Sequence, residues 1–210
     1  MHKIPTKQNN KCKLLLTMKL AVATKPTFFI EEDKIITRLF EEDLDYLFLD
    51  KANPHPQYIE RLLNLIPKKF HKRIFTCNDR LMQDYNLAGV FFPSGSVRPQ
   101  QKNGKQVGYA DNLQQLRELK EIYNIICFGP LGRTFHQSAE LNEYGKKMIN
   151  KHVWAFGDLD VGNLKRLSSY GFGGIVLDNQ VWDKFDSCRS TDYSELIESF
   201  KRIQKIAKKL

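Results

Sequence analysis

Three polar side chains of different chemistry stand together in the stretch IFTCNDRL, which spans residues 74 to 81. The apolar start of this stretch predicts a strand, and Asn78, Asp79 and Arg80 follow directly where it ends. An amide, a carboxylate and a guanidinium side by side could bind a metal ion, a phosphate group or a polar ring. The alternatives are structural: Asn78 could fix the backbone, Asp79 could cap a following helix, and Arg80 could pair with Asp79 or Asp84.

Charged side chains follow several other apolar runs in the same way. The acids at such positions are Asp50, Asp79, Asp158 and Asp178. The bases that follow strand ends are Lys25, Lys51, Arg80 and Arg133. If the strands share one edge, these groups could surround a single opening that is either internally paired or net acidic. A net acidic opening would suit a cation, a metal or a ring that carries an amine.

The elements that must position these groups are short apolar, β-branched or aromatic runs. They occupy residues 19–24, 46–50, 73–78, 89–93, 105–110, 124–129, 152–157 and 173–178. Helical patterns lie between most of them, and the last one places Leu196, Phe200 and Ile203 on a single apolar stripe. The Gly- and Pro-rich stretch 94–105 predicts a loop instead.

Eight buried strands that alternate with helices predict a parallel sheet covered on its faces. A single closed (β/α)₈ TIM barrel over residues 18–210 fits best, and an open doubly wound sheet is the alternative. No glycine-rich nucleotide motif follows any predicted strand. In a barrel of this kind the chemistry collects at the carboxyl ends of the strands, where Asn78, Asp79 and Arg80 lie.

The formal net charge of +9 does not predict a nucleic-acid binder, because the excess is confined to the two ends of the chain. The basic residues 1–17 predict an N-terminal extension without a periodic apolar face, and their apolar run is too short to cross a membrane. Four cysteines without C-x-x-C spacing predict reduced thiols. We therefore expect a cytoplasmic protein with neither nucleic acid nor membrane as a partner.

Five segments, in chain order, resemble the thiamine-phosphate synthase and thiazole tautomerase family, which consists of (β/α)₈ barrels. They are CNDRL, LAGVFFP, VGYADNLQQL, IICFGPL and VWAFGDLDVGNLKRLSSYGFGGIVLDNQVW. The resemblance spans residues 18 to 210. It implies a role in thiamine biosynthesis, in which a transferase joins an aminopyrimidine diphosphate to a thiazole phosphate and releases diphosphate with the help of Mg²⁺.

The resemblance also implies roles for individual residues. Asp79 matches a family ligand of Mg²⁺, while the second ligand position falls near Ser96. Arg80 and Arg133 would offset the charge of the diphosphate. The positions implied to contact the thiamine precursors are Asn78, Tyr109, Gly129, Thr134, Gly157 and Asn179. A homo-oligomer would be compatible with the family.

Several positions depart from the family pattern. Asp50 stands where a synthase has the arginine that grips diphosphate, and Tyr109 replaces a serine. Asp158 replaces the second glycine of the phosphate-binding pair, and Pro130 stands where a tautomerase has its histidine. Two alternatives to the synthase follow: a tautomerase-like enzyme, and a non-catalytic ligand-binding or regulatory barrel.

Overall fold

The protein is described by a computed structural model over residues 18–52, 55–92, 104–159, 161–186 and 190–210. The N-terminal extension predicted for residues 1–17 lies outside the described residues, as does most of the loop predicted for residues 94–105. Within the described ranges, no helix is both long enough and apolar enough to cross a membrane.

The described chain forms one closed barrel of eight parallel strands that pair in chain order, with the first strand paired to the last. The strands are β1 (Lys19–Ala23), β2 (Tyr46–Leu49), β3 (Ile74–Thr76), β4 (Gly89–Phe91), β5 (Lys105–Ala110), β6 (Ile125–Leu131), β7 (Val153–Gly157) and β8 (Gly174–Leu177). Each overlaps one of the eight apolar runs that predicted it. The (β/α)₈ barrel is therefore confirmed, and the open doubly wound sheet is wrong.

Helices cover the outside of the barrel. They are α1 (Glu32–Glu41), α2 (Pro56–Leu65), α3 (Asp79–Asp84), α4 (Leu113–Leu119), α5 (Lys146–Met148), α6 (Val161–Tyr170), α7 (Asn179–Trp182) and α8 (Ser194–Ala207). The predicted apolar stripe of the last helix is buried, since Leu196, Phe200 and Ile203 are at most 6% exposed. The lysines of α8 stay on its other side, as expected for an amphipathic helix.

A second apolar core fills the inside of the barrel. Phe48 stacks on Phe75 with ring centroids 5.1 Å apart and meets Phe91 edge-on at 5.5 Å. Side chains alternate between the two faces of a strand, so the residue two positions beyond an inner one also points toward the barrel axis. By this alternation Asp50 follows Phe48, and Asp178 follows the inner residue Val176, at the carboxyl end of the barrel.

A buried ion pair joins the first residue of α1 to the segment that follows β2. Lys51 Nζ lies 2.5 Å from Oε1 of Glu32, and both side chains are at most 2% exposed. The same ammonium donates to the backbone carbonyls of Lys25 and Thr27, at 2.9 and 3.0 Å. It also lies 4.5 Å from the centroid of the Phe28 ring. All three ammonium protons thus have acceptors, and the loop between β1 and α1 is held in one position.

Replacing Lys51 by methionine should lower the free energy of unfolding by about 3–5 kcal/mol, because the Glu32 carboxylate would stay buried without its cation. Urea unfolding of both proteins measures the difference. Lys34→Met is the matched control, because Lys34 pairs with Glu31 at the surface and should contribute below about 1 kcal/mol. Equal effects of the two substitutions would contradict the structural role of Lys51.

Candidate active site at the carboxyl ends of the strands

The inner ring of the barrel mouth is formed by Asp50 and Asp178, which directly follow β2 and β8, and by Tyr109, the penultimate residue of β5. Asp50 and Asp178 follow the inner residues Phe48 and Val176 by two positions, and Tyr109 packs against the same inner cluster, so the three face one region. Burial raises the pKa of Tyr109 far above its ordinary value, and the thiol of Cys127 and the carboxylates of Asp50 and Asp178 raise it further. Burial also raises the pKa of the Cys127 thiol, so both groups stay neutral near pH 7.

The two carboxyl groups of the inner ring repel each other. Partial burial raises the pKa of Asp178, and the charges of Asp50 and Asp183 add to the shift. Partial burial also raises the pKa of Asp50, although the nearby Lys51 opposes it and Asp50 stays open to solvent on one side. Within the described residues neither carboxylate forms an ion pair, so the inner ring is net acidic.

The four bases that follow strand ends each have a partner, and one of these partners is an acid of the mouth. Lys25 donates to the backbone carbonyl of Phe185 at 3.0 Å, and Lys51 is buried with Glu32. Arg80 lies 3.3 Å from Asp84 on the surface of α3. The fourth base, Arg133, lies 3.0 Å from Asp158, and both of these side chains are exposed. The sequence left open whether the mouth is internally paired or net acidic, and each description holds for part of it. The outer rim is paired at Asp158, while the inner ring stays acidic.

The stretch that follows β3 separates into three different roles. Asn78 caps α3, since its Oδ1 accepts a hydrogen bond from the backbone N–H of Leu81 at 3.1 Å. The alternative in which Asp79 caps the helix is therefore wrong. Asp79 is the first residue of α3, and its Oδ1 is buried with no hydrogen-bond partner among the described residues. The Arg80 side chain is 87% exposed.

A Mg²⁺ ion would find one suitable oxygen in this stretch. The described residues contain no group of three or more His, Cys, Asp or Glu side chains that could hold a metal by themselves. Mg²⁺ is often held by one or two carboxylates while substrate phosphates and water complete its octahedral shell. The unpartnered Oδ1 of Asp79 fits that minimal arrangement, with Asp79 as the protein ligand and a diphosphate supplying further oxygens.

A cavity of about 350 Å³ opens beside the mouth, beyond the carboxyl ends of β6, β7 and β8. Apolar residues of α6, β8 and α8 form its floor. The charged and amide side chains of its wall are Arg133, Asp158, Asn179, Gln180, Asp183, Lys184 and Arg202. The lining holds three cations against two carboxylates, a formal charge of +1, and Lys184 also lies 3.9 Å from Glu195 outside the lining.

Two of the predicted substrate contacts, Gly129 and Gly157, are required by the backbone itself. A Cβ on Gly129 would lie 2.0 Å from the carbonyl oxygen of Phe156, and one on Gly157 would lie 2.3 Å from the backbone nitrogen of Leu131. Gly157 also has φ +136°, in a region that L side chains rarely adopt. Strands β6 and β7 therefore approach each other here through bare backbone.

Gln180 is a site residue that the sequence did not reveal. Its Nε2 donates to the carbonyl of Gly157 at 2.7 Å, while its Oε1 accepts from the backbone N–H of Asp178 at 2.9 Å. The side chain thereby joins the ends of β7 and β8 next to the cavity. Gln180 lies in the four-residue helix α7, which is too short to show a periodic pattern, so nothing in the sequence could have shown this role.

The predicted site residues thus form three groups. Tyr109 belongs to the inner ring, while Arg133 and the exposed Asn179 line the cavity, and Gly157 accepts a hydrogen bond from the lining residue Gln180. Asn78, Asp79 and Arg80 lie together at the start of α3. Thr134 is exposed just after Arg133, before a 3₁₀ turn, and Gly129 is buried in the contact between β6 and β7. Whether these residues contact substrate remains a prediction.

Comparison with known proteins agrees with the fold. No family model and no curated protein matches the chain. Among solved structures, the chain is similar to thiamine phosphate pyrophosphorylase from Bacteroides thetaiotaomicron, with 38% identity over 90% of this chain and 98% of that one, and a TM-score of 0.83. Thiamine phosphate pyrophosphorylase from Pyrococcus furiosus is 13% identical over 92% of this chain and 96% of that one, with a TM-score of 0.67, and shares the fold alone.

The closed barrel and its charged mouth place the protein in the class of (β/α)₈ barrels whose site lies at the carboxyl ends of the strands. Within that class, the identity to the Bacteroides protein over nearly the whole of both chains is decisive. The chain belongs to the thiamine phosphate pyrophosphorylase family, also known as the thiamine-phosphate synthase family. The resemblance found in the five sequence segments is confirmed.

The raised pKa of Asp178 predicts a pH-dependent effect of Asp178→Asn. A carboxyl group whose pKa is higher in the folded state stabilises the fold fully below its unfolded pKa, and this contribution is lost as the pH rises through the folded pKa. The substitution should therefore stabilise the protein at neutral pH, by roughly 0.5–1 kcal/mol after allowance for solvent screening. The gain should disappear below about pH 4, where the wild-type carboxyl is protonated.

Thermal melting of both proteins across this pH range measures the effect. Asp192→Asn is the opposite control, because hydrogen bonds from Ser194 lower the pKa of Asp192. That substitution should destabilise the protein at neutral pH and have no effect in acid. A stabilisation by Asp178→Asn that persists unchanged in acid would contradict the assignment of a repelled carboxylate.

Proposed function

We propose that the protein is a transferase of the thiamine-phosphate synthase type that joins an aminopyrimidine diphosphate to a thiazole phosphate and works in the cytoplasm. The observation that carries the proposal is the net positive cavity beyond β6, β7 and β8, lined by Arg133, Lys184 and Arg202. Loops after the last strands of (β/α)₈ barrels frequently bind phosphate. Membership of the family supports the same assignment.

The thiazole phosphate would bind in this cavity. The guanidinium of Arg133 can turn to an anion there, because its ion pair with Asp158 is weak. Both side chains of the pair are exposed, so the pair contributes below about 1 kcal/mol to stability. Asn179 offers an amide at the same wall. In the reaction the thiazole nitrogen forms a bond to the methylene carbon of the pyrimidine, while the carbon–oxygen bond to diphosphate breaks and its electron pair leaves with the diphosphate.

The diphosphate would lie toward the start of α3. Asp79 would hold Mg²⁺ there, and the ion, when bound, would neutralise part of the charge on the diphosphate. Arg80 contacts Asp84 through an exposed ion pair, so its guanidinium can turn to an anion at small cost. Asn78 would support this arrangement indirectly, by fixing the first turn of α3.

Diphosphate release, measured with both substrates and Mg²⁺, tests the proposal. We expect activity in the wild type and a decrease in kcat/KM of about 10- to 100-fold in Asp79→Asn and in Arg133→Ala, because each removes one charged contact of the transition state. Asp43→Asn is the control, since Asp43 pairs with Lys208 at the opposite end of the barrel. A wild-type protein that binds both substrates but releases no diphosphate would overturn the transferase assignment.

A second candidate, a tautomerase-like enzyme acting on a thiazole-type ring, is favoured by the carboxyl groups of Asp50 and Asp178. Both have raised pKa values and no cationic partner among the described residues. Such groups can accept and return a proton. Exchange of a ring-adjacent proton of the thiazole phosphate with deuterated water, followed by NMR, would distinguish this activity from diphosphate release.

The pairing of Arg133 with Asp158 predicts a gain of affinity on removing the acid. Asp158→Asn removes a negative charge from the cavity wall and frees the guanidinium, so thiazole phosphate should bind about three- to tenfold more tightly. Isothermal titration measures the change, and the thiazole alcohol without phosphate is the control ligand, whose affinity should not change. If both ligands respond equally, the cavity is not where the phosphate binds.

A further inference from the structure

The charges of the mouth are separated in space. Asp50 and Asp178 directly follow β2 and β8, the two strands that pair with β1 on its two sides. Between them β1 contributes the small inner residue Ala23. The cations of the cavity wall lie on another sector, beyond β6, β7 and β8. A bound molecule would therefore meet carboxylates with one part and cations with another.

Aromatic side chains form the wall across from the carboxylates. In a ring of eight strands β5 is opposite β1, and β5 carries Tyr109. The ring of Tyr109 packs edge-on against Phe156 of β7, with centroids 5.6 Å apart. The rings of Tyr109 and Phe156 give this wall mainly flat apolar surface. Such a surface suits a planar ring, independently of the acids opposite it.

We propose that Asp50 and Asp178 are specificity-determining residues that together accept the hydrogen-bond donors of an amine-bearing or cationic heteroaromatic ring. This inference rests on the proposed function for the location of the substrate. The two carboxylates select the ring, and they repel the anionic part of the same or the second substrate toward the cavity and α3. Asp50 stands where the family pattern has an arginine that grips diphosphate. At this position the protein would therefore select a ring by its charge instead of binding a phosphate group.

Electrostatics support this division of the mouth. A phosphate close to a carboxylate is disfavoured and a cation there is favoured by the same amount, and both effects are several times larger at a partly buried position than in water. Lys51 cannot reverse the sign, because its ammonium is fully used by Glu32 and two carbonyls. An exocyclic amine offers two donors, and two carboxylates can accept both.

The other titratable groups near the pair do not compete for the ring. Tyr109 and Cys127 are neutral near pH 7 because their pKa values are raised, and burial also raises the pKa of the Cys77 thiol. Asp183 adds negative charge beside Asp178, and Lys51 opposes it beside Asp50. Ring binding should therefore weaken in acid, as the two inner carboxyls are protonated.

The test compares two uncharged probes that differ in one group. One is the aminopyrimidine alcohol without its diphosphate, and the other is the same ring with hydrogen in place of the amine. Isothermal titration at pH 7.5 should show about tenfold tighter binding of the aminated ring to the wild type. Asp50→Asn and Asp178→Asn should each reduce this preference, and the double variant should abolish it, while Asp43→Asn leaves it unchanged.

Asparagine keeps the shape of aspartate, and thermal melting verifies that each variant is folded. If the double variant does not fold, the single variants decide the outcome. Equal binding of the two rings to the wild type, or an unchanged preference in a folded variant, overturns the inference. The diphosphate-release assay is separate. A ring preference without diphosphate release supports the inference and refutes the transferase. Diphosphate release without a ring preference supports the transferase and refutes the inference.

Discussion

The pairing of β1 with β8 is the constraint on which the rest of the molecule depends. Residues Lys19 to Val22 are in register with Gly174 to Leu177, and the backbone N–H of Lys19 bonds to the carbonyl of Gly173 at 2.8 Å. This ladder closes the sheet, so that no strand edge is left open within the barrel. It also brings the ends of β2 and β8 to either side of β1, although their acids are far apart in the chain.

Closure explains why a mouth so rich in charge can be stable. The inside of the barrel is filled with closely packed aromatic rings such as Phe48 and Phe75. The packing of this layer offsets the unfavourable free energy of the two unpaired carboxylates above it. The outer rim follows a different rule. Its ion pairs, Arg80 with Asp84 and Arg133 with Asp158, are exposed and weak, so they can be exchanged for contacts to a substrate.

The sequence predicted the barrel and the family because both depend on local patterns. Strands buried on both faces read as apolar runs, and the segment around Asn78 or that around Gly157 can be recognised without knowing what either touches. The partners of the charged residues could not be predicted in this way. Lys25 meets the carbonyl of Phe185 across 160 positions of sequence, and Lys51 turns away from the mouth to Glu32. Such contacts depend on the conformation of the loops, and loop sequences show no periodic pattern from which the contacts could be predicted.

The bare-backbone contact between β6 and β7 makes the two sides of the mouth unequal in evolution. At Gly129 and Gly157 any side chain would collide with the neighbouring strand, so the backbone beside the cavity tolerates no substitution at these two positions. The side formed by β2 and β8 is specified by single side chains at strand ends, such as Asp50, where an exchange changes charge without moving the backbone. Substitutions in related barrels would therefore alter ligand recognition more readily on the side of β2 and β8 than at the contact between β6 and β7.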